Sequence, residues 1–232
     1  MATHLDLQEQ EQVDQIKAFW QQYGNLITWT LTLALAGFAG WNAWNYWQRE
    51  QAGNASAMFE ELERAAQAND VERSTRVFAD LKERFAGTAY AQQGALLAAK
   101  VQAEKGQADA ALLSLAWAAD NAVDSEIRSI ARLRAAGLLM DKRQYDAALT
   151  QLDAAAQGKN ANDFEALVAD RRGDVLLAQG KTAEARKAFE AAYKALDAKL
   201  EYRQLVDAKL TAMGAAPAAA ASAPAASGVA KK

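Results

Sequence analysis

The amino-acid sequence predicts an all-α fold: one N-terminal transmembrane helix, then an α-solenoid of about four helical hairpins with a C-terminal capping helix. Three observations predict it. Both prolines of the 232-residue chain, Pro217 and Pro224, stand near its end, so nothing of that kind interrupts a helix from Met1 to Ala216. No charged residue occurs from Ala18 to Gln48. Downstream, a pattern of small and bulky residues recurs at a step of 37.

The first element is the membrane segment, 26–47, preceded by a tail over 1–25. Leu26–Trp47 (LITWTLTLALAGFAGWNAWNYW) is 22 residues long. As a helix it reaches roughly 33 Å at 1.5 Å per residue, matching the ~30 Å hydrocarbon core of a bilayer. A lysine or aspartate at its centre would cost about 2.5–3.5 kcal/mol, and none is there. Five of the six tryptophans lie in this region. Trp20 and Tyr23 at one end and Trp41, Trp44 and Trp47 at the other are the expected membrane-interface residues, because indole and phenol rings favour the headgroup level. A cleaved signal peptide would begin with a basic stretch; here Asp6, Glu9, Glu11 and Asp14 outnumber Lys17. Lys17 on one side and Arg49 and Arg64 on the other do not set the orientation by charge. Val13, Ile16, Trp20 and Tyr23 form an apolar stripe at helical spacing, which reads as contact with the membrane surface or with a partner helix.

The repeats follow over 54–213. Gly106-x-Ala108-x-x-Ala111-Leu112-x-x-Leu115-x-x-Ala118 is one unit. Arg143-x-Tyr145-x-x-Ala148-Leu149-x-x-Leu152-x-x-Ala155 is a second, and Gly180-x-Thr182-x-x-Ala185-x-x-x-Phe189-x-x-Ala192 a third. A weaker match starts at Asn69, with Ser74, Phe78 and Leu81. Twelve residues before each anchor stand Leu62, Ala99, Ala136 and Gly173. Two helices pack closely where small residues cross, so Ala136 should face Ala148 and Gly173 should face Ala185. The bulky Phe78, Leu115, Leu152 and Phe189 then fill the layer toward the next pair, and pairs must stack to bury both faces. The spacing predicts helices over 54–68, 71–85, 88–105, 108–120, 125–141, 144–157, 163–179, 182–196 and 198–213. Gly87, Gly106, Gly158 and Gly180 follow them as C-terminal caps; Asp124 or Ser125, and Thr182, suit N-caps. The Ala/Pro/Ser-rich residues 214–232 should be disordered.

Composition narrows function. Cysteine is absent and His4 is the sole histidine, so His/Cys metal sites and histidine-based triads have no residues to build them. The net charge of −3, with signs interspersed, lacks the basic footprint that nucleic acid needs. No catalysis, cofactor or small-molecule substrate is expected. Stacked hairpins make a groove lined by the first helix of each pair. The repeat register places Phe59, Leu96, Lys100, Leu133, Met140, Asp170 and Asp174 along it. These are mostly apolar or acidic, which disfavours capture of a peptide carboxylate and suits unfolded segments or a partner helix. Phe59, Leu96 and Leu133 fit an ordinary core equally. Asp170, Arg171, Arg172 and Asp174 read either as a solvated face or as a buried Arg–Asp pair organising the repeat.

These units resemble tetratricopeptide repeats, whose small–small–bulky packing uses the same offsets. The family's unit is 34 residues, so a step of 37 implies about three extra loop residues, and its terminal proline is missing here. The architecture over about residues 10–213 resembles the YfgM-like family of bacterial ancillary Sec-translocon subunits. The resemblance is carried by the acidic N-tail, the helix ending in Trp-rich sequence, and the stretches Leu133–Leu152 (LRAAGLLMDKRQYDAALTQL) and Val168–Ala191 (VADRRGDVLLAQGKTAEARKAFEA). It implies a single-pass protein of the bacterial inner membrane, with the tail cytoplasmic and the repeats periplasmic. Its implied partners are the lipid bilayer, Sec translocon subunits, and periplasmic chaperones or exported polypeptides. Alternatives are a structural repeat scaffold for another cell-envelope complex, or a membrane anchor that sequesters a cytoplasmic regulator through the N-tail.

Overall fold

The computed structural model describes residues 7–159, 161–197 and 200–214, with side chains from residue 12 onward. His4 and all but the first residue of the predicted 214–232 tail lie outside them. Among the described residues the structure is all-α, with nine helices: α1 (Leu7–Gln67), α2 (Val71–Phe85), α3 (Ala89–Glu104), α4 (Ala108–Asn121), α5 (Ser125–Asp141), α6 (Tyr145–Ala156), α7 (Ala161–Ala178), α8 (Thr182–Ala195) and α9 (Glu201–Ala212). The chain divides into two compact units, Met1–Gly53 and Asn54–Lys232.

In the first unit, α1 displays apolar side chains around its whole circumference. Leu26, Trp29, Leu31, Leu33, Leu35, Phe38 and Trp41 are all exposed. Thr28, Thr30 and Thr32 each donate a hydroxyl to the carbonyl four residues earlier, at 2.7–2.8 Å, so their polar groups are satisfied within the helix. By mean hydropathy, no helix among the described residues is long and apolar enough to cross a membrane. The predicted break before residue 54 does not occur, and α1 is unbroken to Gln67. Gly53 and Asn54 lower helix propensity by only about 1 kcal/mol each at most, too little to end a helix by themselves.

In the second unit the 37-residue step reappears in the backbone. Asn69, Gly106, Arg143 and Gly180 all take positive φ (55°, 76°, 59° and 79°), each 37 residues from the last. Each ends a helix in the same way. The N–H of the following residue reaches a carbonyl five residues back, as in Asp70 to Ala65, Gln107 to Gln102, Gln144 to Leu139 and Lys181 to Leu176 (2.8–3.0 Å). Gly87 and Gly158 follow helices without entering the left-handed region. Asp124 caps α5 by accepting from the Glu126 N–H at 2.8 Å. Thr182 is not a cap: that position belongs to Lys181, whose side chain makes no capping bond, and the preceding left-handed turn already fixes the entry into α8. Asp70 and Thr88 cap α2 and α3 instead.

The core follows the repeat. The crossing residues Leu62, Ser74, Ala99, Ala111, Ala136, Ala148 and Ala185 are at most 2% exposed, and Phe78, Leu115, Leu152 and Phe189 at most 4%. Three successive clusters fill the layers, around Leu62, Leu81 and Leu115, around Leu152 and Val175, and around Phe189 and Val206. Gly173 meets the Phe189 ring: a Cβ built on it would lie 2.5 Å from the ring edge. The nearest neighbour is therefore the bulky residue of α8 rather than Ala185, because an aromatic ring needs the space that a missing side chain leaves.

Candidate partner-binding groove

Neighbouring first helices α3, α5 and α7 pack side by side and leave a groove of about 590 Å³. Its apolar lining is Leu115, Ile130, Leu133, Leu138, Phe164 and Leu167, with Tyr202 of α9 at one end. Charged side chains stand among them: Lys100, Arg134 and Arg171 against Glu104 and Asp141. Each cation already has a partner. Lys100 pairs with Glu104 at 3.9 Å, Arg171 with Asp174 at 3.7 Å, and Arg134 donates to the Leu96 carbonyl at 3.3 Å. Gly137 belongs to the same lining, and nothing lies within 4 Å of a Cβ placed there.

The register residues divide among three environments. Lys100 and Leu133 line the groove. Met140 and Asp174 border a separate shallow depression with Tyr145 and Leu177. Phe59 and Leu96 pack half-buried against the first core cluster, and Phe59 sets its ring 5.8 Å from Tyr90. Asp170 is 2% exposed and lies in a buried knot. Among the lining residues that sequence reasoning missed are Arg134, Gly137, Phe164, Leu167, Arg171 and Tyr202. Arg134 and Arg171 occupy one repeat column and Lys100, Gly137 and Asp174 another, so carrying both columns forward would have found three of these positions. The contribution of Tyr202 leaves no such trace, since α9 lies outside the repeat.

The knot at Asp170 is ionic, but its partner is not the arginine expected from the local sequence. Lys209 of α9 donates to both Asp170 oxygens, at 2.8 and 3.0 Å, and to Asp174 at 2.7 Å. Tyr202 donates its hydroxyl to Asp170 at 2.6 Å. Burial, then the hydrogen bond to Asp170, raises the Tyr202 pKa well above the ordinary phenol value. The Lys209 ammonium also sits 5.1 Å from the Phe189 ring centre. α9 is thereby tied to α7 and α8 while its tyrosine completes the groove wall. Arg171 meets the knot only at Asp174, at 3.7 Å, and Arg172 pairs with Asp153 on α6.

Stacked helical hairpins around an open, partly apolar groove define a helical-repeat scaffold. The family model described as "Tetratricopeptide repeat-like domain" matches residues 17–215, and the chain belongs to that family. Three curated relatives each carry the name "Ancillary SecYEG translocon subunit", bearing out the resemblance to the YfgM-like family. The one from Neisseria gonorrhoeae is 29% identical over 92% of this chain and 100% of its own length. Those from Haemophilus influenzae and Escherichia coli are 28% and 27% identical, each over 80% of this chain and over 89% and 87% of their own lengths.

Proposed function

We propose that this chain is a membrane-anchored protein-interaction module that works beside the Sec translocon. On this reading it holds exported polypeptides or periplasmic chaperones in the groove across α3, α5 and α7. The observation that carries the reading is the length of the match to translocon subunits, which takes in the apolar α1 segment as well as the repeats. The groove supports it: an open floor of aliphatic and aromatic side chains, with cations that already have partners, suits an unfolded segment or an amphipathic helix.

The anchor is α1 over Leu26–Trp47. A helix apolar on every face needs an apolar surrounding, which in a span is lipid. Tryptophan and threonine hold down its mean hydropathy, yet indoles are favoured at the interface and the three threonine hydroxyls are bonded within the helix. The resemblance to the translocon-subunit family, rather than the charge pattern, favours a cytoplasmic tail and periplasmic repeats.

A photo-crosslinking residue in place of Gly137, which has free space around it, tests the groove in the full-length chain. Adducts with translocon subunits, chaperones or exported chains are expected, and Gly137→Trp should abolish those formed from a probe at Lys100. Adduct levels no higher than from a probe at exposed Leu113 would overturn the reading. Retention in the membrane pellet after carbonate washing tests the anchor, and a topology reporter fused after Met213 tests its direction.

A further inference from the structure

α5 lines two depressions with two of its faces. Ile130, Leu133 and Gly137 belong to the groove. Ser125, Arg128, Ser129 and Arg132, at i, i+3, i+4 and i+7, line a second cleft of about 390 Å³. Ala119 and Asp120 of α4 and Gln157, Gly158 and Lys159, in the turn after α6, complete it.

The chemistry of this cleft is one-sided: three cations face one carboxylate. Arg128 and Lys159 enter no ion pair among the described residues. Arg132 gives one N–H to the Ala154 carbonyl at 2.9 Å and keeps its remaining donors. Ser129 is 1% exposed, and its hydroxyl has no hydrogen-bond partner among the described residues. The Ser129 oxygen is not one of the fully buried unbonded atoms, so its hydroxyl keeps contact with solvent and its donor is free. Its oxygen lies beside Gly158, 3.5 Å from where a Cβ there would stand, and both residues line the cleft. The end of α5 itself is not the attraction, because Asp124 already caps it. The donors are side chains one turn further on.

We propose that this cleft binds a tetrahedral oxyanion of the phosphate class. Arg128, Arg132 and Lys159 supply charge-assisted hydrogen bonds, and the Ser129 hydroxyl donates the remaining one. A dianion balances the excess of two positive charges. The same chemistry is presented by free phosphate and by the phosphomonoester of a lipid headgroup. The site shares no lining residue with the groove and stands independently of the translocon reading.

The test uses the full-length chain in neutral detergent, with thermal unfolding followed in sodium phosphate, in glycerol 3-phosphate, and in sodium chloride of matched ionic strength. Either phosphate should raise the unfolding midpoint where chloride does not. Arg128→Gln/Lys159→Gln should weaken the response about ten-fold or more, as losing charged hydrogen bonds does. Ser129→Ala should weaken it several-fold while leaving the ligand-free midpoint unchanged or higher, because it removes an unbonded hydroxyl. Stabilisation by both ligands assigns a free oxyanion; stabilisation by glycerol 3-phosphate alone assigns a lipid headgroup. Stabilisation by neither, or a double variant that responds like the parent chain, overturns the proposal.

Discussion

Replacing Gly173 with alanine should destabilise the repeats, whereas the same change at Gly137 should stabilise them. Both glycines lie inside helices, α7 and α5, and neither has a positive φ. Propensity alone therefore favours alanine at each by roughly 0.5–1 kcal/mol. At Gly137 nothing lies within 4 Å of the new Cβ, so that gain stands. At Gly173 the new Cβ falls 2.5, 2.6 and 2.8 Å from three atoms of the Phe189 ring. That ring is 0% exposed and cannot swing outward. Three contacts this short place the cost in the upper part of the usual overpacking range, about 2–3 kcal/mol, so the net loss is about 1–2 kcal/mol once a propensity gain of about 1 kcal/mol is subtracted. At roughly 2–4 °C per kcal/mol for a domain of this size, Gly173→Ala should lower Tm by about 2–8 °C and Gly137→Ala should raise it by a degree or more. Calorimetry or far-UV melting of the full chain in detergent reads both. Adding Phe189→Leu to Gly173→Ala should recover part of the loss, a coupling of about 0.5–3 kcal/mol in the double-mutant cycle. Equal or raised stability for Gly173→Ala, or additivity in the cycle, would refute the packing argument.

The knot at Asp170 yields a second expectation. Lys209→Met strands a buried carboxylate and should cost roughly 2–4 kcal/mol, discounted from a fully buried pair because Lys209 is one-quarter exposed. Asp170→Leu/Lys209→Met should regain most of it, and hydrogen exchange across α9 reports the loosening. The raised pKa of Tyr202, caused first by burial and then by Asp170, gives a pH dependence. The neutral phenol is favoured in the folded state, so its stabilisation is complete below about pH 10, the unfolded value, and is lost as pH rises toward the folded value. Tyr202→Phe should flatten the alkaline fall in unfolding midpoint relative to the parent chain. Arg143→Gly should stabilise by up to about 1 kcal/mol in urea melts, because a side chain at φ 59° pays for a left-handed backbone that glycine adopts freely.

The groove shows how far a repeat register reaches. Lys100 and Leu133 were legible as its lining because the first helix of each hairpin presents equivalent positions every 37 residues. Leu96 and Phe59 share the column of Leu133 but sink against the first core cluster, since what covers a position depends on the neighbouring layer as well as on its own helix. Asp170 shares that column too, and α9 encloses it.

By itself the sequence determined most of the helices, the positions of the small and bulky core residues and the uncharged apolar segment. These depend on local propensity and periodicity, which act over a few turns of one chain segment. Tertiary structure decided what the periodicity does not encode. Lys209, distant in sequence, neutralises Asp170; Tyr202 closes the groove; Phe189 occupies the space that Gly173 leaves; and Ser129 is buried beside unpaired cations. Each arises where separate elements meet, and the energy of a buried charge or a filled void is set by the neighbours that meet there, not by the residues on either side in the chain.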